Sequence, residues 1–194
     1  AWAYSCKVDG ICYNLHSSSQ TATVTYSGYP YNNDYTGHYH SSDKLTGDLV
    51  IPSTITYNEV EYTVTAIGDY AFYDAESTIG ITSISIPSTI TTIGKAAFSK
   101  TAITSSTIPE SVTSVGYSAF PSSWLNNQPD GIVYAGKVAY KYKGTMPDDT
   151  TISFEDGTTQ ICDYAFSNCS GLTSITIPSS VTSIGKYAFN YIQR

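Results

Sequence analysis

The chain has 194 residues, the size of one large domain. Only 13% of them are charged and the formal net charge is −7, so the basic patch that a nucleic-acid surface needs is missing. No apolar run approaches about 18 residues, which excludes a membrane-spanning helix.

The first four residues, Ala1-Trp2-Ala3-Tyr4, lack the basic and apolar regions of a signal peptide, and a mature or trimmed chain is the expectation. Residues 1–47 do not repeat. Residues 8–13 read as strand, turn, strand, because Asp9-Gly10 is a strong hairpin signal. Residues 21–26 alternate β-formers and read as a second arm or partner. Residues 28–47, rich in Tyr, Asn, Ser and Gly, read as mostly loop. The whole segment is expected to form an N-terminal β cap over the open edge of the first repeat.

From residue 48 onward the chain copies itself. The template is residues 172–189, LTSITIPSSVTSIGKYAF, with clean copies at 81–98 and 103–120. A degenerate copy runs from 152 to 166. A fifth, 49–72, has the same landmarks at its ends and nine extra residues between them. Those extra residues read as an inserted hairpin near 57–65, with arms at 54–57 and 60–67 and a turn at Asn58-Glu59. Phe98 and Phe120 are 22 residues apart, Phe166 and Phe189 are 23 apart, and Phe120 and Phe166 are 46 apart. One copy is therefore missing and leaves a slot of the right length. Residues 125–150 occupy it, and a second hairpin near 131–143, turning at Ala135-Gly136, is expected there.

Each repeat reads the same way. Ile175 and Ile177 alternate with polar residues, so a strand buries one face. Pro178 ends the strand. Val181 and Ile184 suit a short 3₁₀-like turn, and Gly185 is expected to supply a backbone shape closed to other residues. Ala188 and Phe189 face the core. A single unit cannot bury its apolar side, whereas stacked units can. A period of about 20–29 residues with an L-x-x-I-x-I core is a leucine-rich-repeat signature. The expected fold is a mostly β repeat solenoid with short 3₁₀ or helical turns, a right-handed stack over residues 48–194 packed as one unit with the cap.

Candidate chemistry is sparse. Cys6 and Cys12 flank the Asp9-Gly10 turn, and a disulfide between them depends on geometry that sequence leaves open. Neither they nor Cys162 and Cys169 have zinc-site spacing. A catalytic thiol needs a nearby base, and all three histidines lie in residues 16–40. His38 and His40, with His16 and Asp34 or Asp43, are a conceivable metal set, but a solvated polar loop is the plainer reading. There is no nucleophile elbow, Walker loop, dinucleotide fingerprint or H-E-x-x-H. Asp148-Asp149 and Glu155-Asp156 are acidic neighbours with nothing to place them in a cleft. With Ile84, Ile86, Ile175 and Ile177 inward, Ser83, Ser85, Ser105, Thr107, Ser153, Ser174 and Thr176 face outward as a hydroxyl ladder. Solenoids use such faces for binding, although Ser and Thr are also ordinary soluble strand residues. Trp124, Tyr134, Tyr140 and Tyr142 have the chemistry of partner anchors; packing of the inserted hairpin against the stack is the first expectation.

The motifs LTSITIP and SVTSIG, and the junction Ala165-Phe166-Ser167-Asn168-Cys169-Ser170-Gly171-Leu172, resemble the BspA-like leucine-rich repeats of bacterial cell-surface proteins. The insert NNQPDGIVYAGKVAYKYKG and the opening VDGICYNL resemble segments met in the same family. The resemblance covers nearly the whole chain. It implies a secreted or surface-anchored solenoid without catalysis or cofactor, binding an extracellular protein or glycan. The alternatives are a structural spacer that presents another domain and, at a distance, a glycan or peptide hydrolase. Asn168-Cys169-Ser170 fits a glycosylation sequon that in a bacterial protein is accidental. Cys169 sits where the family often has a small buried cysteine. Three residues depart from the pattern: Ser106 replaces an inward Ile, Glu155 replaces the Pro and Cys162 replaces the Gly.

Overall fold

The structure is a computed structural model that describes residues 4–27, 45–73 and 80–192. β1 (Cys6–Val8) and β2 (Ile11–His16) pair antiparallel about Asp9 and Gly10, whose φ angles of 48° and 83° are those of the turn such hairpins prefer. β3 (Thr21–Thr25) returns along β2. After β4 (Thr46–Val50), β5 (Thr54–Tyr57) and β6 (Val60–Ile67) form the hairpin read from the nine extra residues, with Asn58 and Glu59 both at positive φ. β3 lies parallel to β6, so the non-repeating strands share a sheet with the repeats.

Each intact repeat contributes two strands to two sheets. The strands that run into Ile-Pro are β4, β7 (Gly80–Ser85) and β9 (Ser105–Thr107), which pair in parallel. The second strands, β8 (Thr92–Ile93) and β10 (Ser114–Val115), extend the sheet begun by β1, β2, β3 and β6. Between the two types the chain turns on one i+3 bond, Ile90 N–H to Pro87 O and Val112 N–H to Pro109 O, each 3.1 Å. A five-residue helix, α1 (Ser122–Asn126), then precedes the inserted hairpin of β11 (Gly131–Ala135) and β12 (Val138–Lys143). Sequence reading did not anticipate α1. The repeat resumes with β13 (Thr150–Ser153), β14 (Gln160–Ile161), β15 (Leu172–Thr176) and β16 (Ser183–Ile184); β13 pairs with β15, and β12, β14 and β16 pair in parallel.

The recurring ring makes one interior column. Phe72 stacks on Phe98 at 5.3 Å and 8°, Phe98 on Phe120 at 5.7 Å and 19°, and Phe166 on Phe189 at 5.4 Å and 9°. Ala71, Ala97, Ala119, Ala165 and Ala188 are buried beside them. Burial of a Phe ring contributes about 1.5–3 kcal/mol, and offset stacking adds about 0.5–1.5.

Two expectations need correction. Gly185, like Gly94 and Gly116, is not in the left-handed region. A Cβ there would lie 2.2 Å from Asp163 Oδ1 and 2.3 Å from its amide nitrogen, so close approach of the preceding turn excludes a side chain. The left-handed residue comes two positions later, at Tyr70, Ala96, Ser118, Tyr164 and Tyr187, with φ of 52° to 57°. Ile177, expected inward, is 41% exposed, whereas its counterpart Ile86 is 3% exposed. β15 is the last strand of its sheet among the described residues, so Ile177 has a repeat packed on one side only.

Candidate functional site

The outward residues of the Ile-Pro strands stand in register. Asp48, Ser83 and Ser105 form one row, and Val50, Ser85 and Thr107 the next. Strand alternation puts Leu49 and Ile84 inside and these side chains outside, although Ser83 is only half-exposed. Ser83 Oγ donates to an Asp48 carboxylate oxygen. Val50 is 66% exposed, an apolar step among hydroxyls. In the second block Thr151 pairs with Ser174 and Ser153 with Thr176, all exposed. The expected ladder thus exists as two runs. β9 and β13 do not pair, and α1 binds to the backbone of the segment leading into β9. Ser123 Oγ donates to Ile103 O at 2.6 Å, and Asn127 Nδ2 to Thr104 O at 3.3 Å. Those donors occupy carbonyls that a next strand would have used, which protects an otherwise open edge.

The interval between Phe120 and Phe166 is the second distinctive place. In intact interfaces the Phe amide donates to the alanine carbonyl of the next turn: Phe72 to Ala97, Phe98 to Ala119 and Phe166 to Ala188, each 2.7 Å. At Phe120 the acceptor is instead Tyr140 Oη, at 3.2 Å. Burial raises the Tyr140 phenol above its ordinary pKa, and the Phe120 amide opposes that shift. The turn leading into β12 contacts the preceding repeat through Lys137 N–H to Val112 O, 2.8 Å. Farther along, the Gln160 side-chain amide takes the place of a strand, accepting from Val115 N–H at 2.8 Å and donating to Val115 O at 3.1 Å. Thr159 Oγ1 donates to Thr113 O at 2.8 Å. Trp124 stacks on Phe120 at 4.3 Å, and Tyr142 lies 6.1 Å from Phe166, so aromatic rings of α1 and the inserted hairpin fill the break in the phenylalanine column. Tyr134, Tyr140 and Tyr142 are hairpin packing, as first expected, whereas Trp124 packs from α1.

All three departures from the repeat touch this region. Ser106 accepts from Trp124 Nε1 at 2.7 Å, a bond the usual isoleucine cannot form. The Glu155 amide donates to Tyr134 Oη at 2.9 Å, and the usual proline has no such hydrogen. Cys162 occupies the glycine position because no regular turn precedes it; its thiol lies 3.4 Å from Val115 O, and burial pushes its pKa up to about 11. A cleft of about 340 Å³ opens beside it, lined by Tyr117, Ser118, Leu125, Cys162, Asp163 and Tyr164 among others.

The remaining candidates are dispersed. β1 and β2 pair Cys6 with Tyr13 and Cys12 with Lys7, so the two cysteines point to opposite faces and are not bridged. Cys169 is buried, as read. His38, His40, Asp34 and Asp43 lie outside the described residues. His16 Nε2 is 3.0 Å from Thr23 Oγ1. Among the described residues no three His, Cys, Asp or Glu side chains converge on a metal position. Asp148 and Asp149 border a shallow surface depression with Ser170, Gly171 and Thr173. Among the described residues no helix is long and apolar enough to cross a membrane.

Comparison with known proteins agrees with this geometry. Residues 51–129 and 136–194 match the BspA type leucine rich repeat region, in six copies. Among solved structures, a leucine-rich repeat protein from Bacteroides ovatus is similar with 25% identity and a TM-score of 0.55, over 94% of this chain and 44% of that one. A leucine rich cell surface protein from Faecalibacterium prausnitzii gives 21% and 0.53, over 95% and 45%. The leucine-rich repeat protein of T. pallidum gives 18% and 0.51, over 97% and 67%. The chain thus spans under half the length of the first two. No curated protein matches it.

Proposed function

The chain belongs to the BspA-type leucine-rich-repeat family, and on that premise we propose that it is a non-catalytic adhesion-type module, secreted or held at a bacterial cell surface, that binds an extracellular protein or glycan through its Ile-Pro strand face. The observation that carries this reading is the register of Ser83 with Ser105, Ser85 with Thr107, Thr151 with Ser174 and Ser153 with Thr176. These rows present short, rigid hydroxyls with little side-chain entropy to lose on binding. Val50, in the row of Ser85 and Thr107, adds apolar area. The similarity to a protein described as a cell surface protein supports the location.

The test is a binding screen against matrix proteins and glycan arrays, repeated with Ser85→Arg/Thr107→Arg. The reading predicts a partner whose binding is lost in the double variant while the melting temperature is kept. A partner bound equally well by both proteins, or none at all, contradicts it.

A further inference from the structure

We propose that the cleft beside Cys162 is a docking site for a short, uncharged peptide segment of a partner protein, whose main chain completes the turn that the missing repeat would have supplied. In intact interfaces the amide at the left-handed position donates to the carbonyl of the next turn. Tyr70 donates to Lys95 O at 2.8 Å, Ala96 to Tyr117 O at 3.0 Å and Tyr164 to Lys186 O at 3.0 Å. Ser118 holds the same position with the same φ of 56°, and among the described residues its amide meets no acceptor. Across the cleft stands Asp163, the counterpart of Lys95 and Lys186; among the described residues its carbonyl accepts no hydrogen bond. The insert replaced the inner half of the missing turn through Tyr140 and left the outer half open. The opening therefore has one main-chain donor on one wall and one main-chain acceptor on the other. That is the pairing an added peptide segment satisfies.

Charge narrows the class of ligand. The nearby Lys141 Nζ donates to Tyr164 O at 2.8 Å, and Asp163 Oδ1 accepts from Lys186 N–H at 2.8 Å. Both ionic groups have partners, so neither selects an ion. Phe120, Leu125 and Cys162 give the lining an apolar part suited to a small side chain, and the rings of Tyr117 and Tyr164 stand 5.4 Å apart beside it. The volume of about 340 Å³ lies at the small end for ligand clefts. This site is on the turn side of the stack and stands independently of the strand-face reading.

The experiment titrates ¹⁵N-labelled protein with an acetylated, amidated peptide of sequence Val-Gly-Tyr-Ser-Ala-Phe, the uncharged turn of the repeat at 103–120. Saturable shifts centred on the Ser118 amide and on the Tyr164 amide, which shares a peptide group with the Asp163 carbonyl, are expected. Cleft-filling variants Ser167→Trp and Ser122→Trp, each checked for an unchanged melting curve, are expected to weaken binding about tenfold or more. Absence of shifts at millimolar peptide, or shifts indifferent to a folded cleft-filled variant, would overturn the proposal. So would a neutral oligosaccharide that moves the same amides while the peptide does not.

Discussion

Two interfaces in this molecule perform the same task by different means. Between the turns ending in Phe98 and Phe120, backbone meets backbone: Ala96 to Tyr117, Phe98 to Ala119, Thr113 to Thr91 and Gly116 to Ile93. Between Phe120 and Phe166 one main-chain bond to the preceding repeat remains, Lys137 to Val112, and side chains supply much of the rest: Tyr140 Oη, the Gln160 amide, Thr159 Oγ1 and the ring of Trp124. A repeat interface tolerates many side chains because its bonds are made by the main chain. The substituted interface is written in particular residues, and each can be removed singly. The comparison also shows why the solenoid can lose a whole repeat without exposing its column of rings.

The largest effect is expected in the regular region. Phe98→Ala removes a ring stacked on both sides and should cost about 3–5 kcal/mol in denaturant unfolding; a loss below about 1 kcal/mol would mean the column does not hold the stack together. Next, Gly94→Ala should cost on the order of 2–3 kcal/mol, because its Cβ would lie 2.4 Å from the Asp69 amide nitrogen. At the equivalent position beside the insert, Cys162→Ala should cost clearly less, and equal costs would erase the distinction between the two regions. Tyr140→Phe should cost about 1–3 kcal/mol by leaving the buried Phe120 amide without an acceptor. Urea melts of the four variants give the ranking directly.

The smallest effect is a pH dependence. Burial holds the Cys162 thiol near 11, above the ordinary 9, so the folded state keeps this proton longer than the unfolded state. The resulting stabilisation is complete below pH 9 and is lost as pH rises toward 11. Wild type should therefore lose stability faster than Cys162→Ala over that window. Parallel curves would contradict the assignment.

Much of this architecture was legible in the sequence because spacing reports on stacking. Phe72, Phe98, Phe120, Phe166 and Phe189 recur with the coil, and Asp9-Gly10 and Asn58-Glu59 announce their turns locally. The glycine was legible as a constraint but misread in cause. Its restriction comes from the preceding turn, a neighbour 21 to 25 residues away, rather than from its own φ. α1 was missed because five residues are too few to show a period. The interruption of the hydroxyl ladder was missed with it, since the residues that cover β9 belong to that helix. The departures at Ser106, Glu155 and Cys162 were legible only as breaks in the pattern. Their partners, Trp124, Tyr134 and Val115, lie 18 to 47 positions away, and no local rule connects them.

The most direct measurement is a double-mutant cycle on Tyr134 and Glu155. Restoring the repeat with Glu155→Pro should destabilise the protein by about 1 kcal/mol, and in a Tyr134→Phe background the same change should cost little, giving a coupling energy of about 1 kcal/mol. If Glu155→Pro is neutral or stabilising in both backgrounds, the departures are drift after all, and side chains do not stand in for the missing repeat.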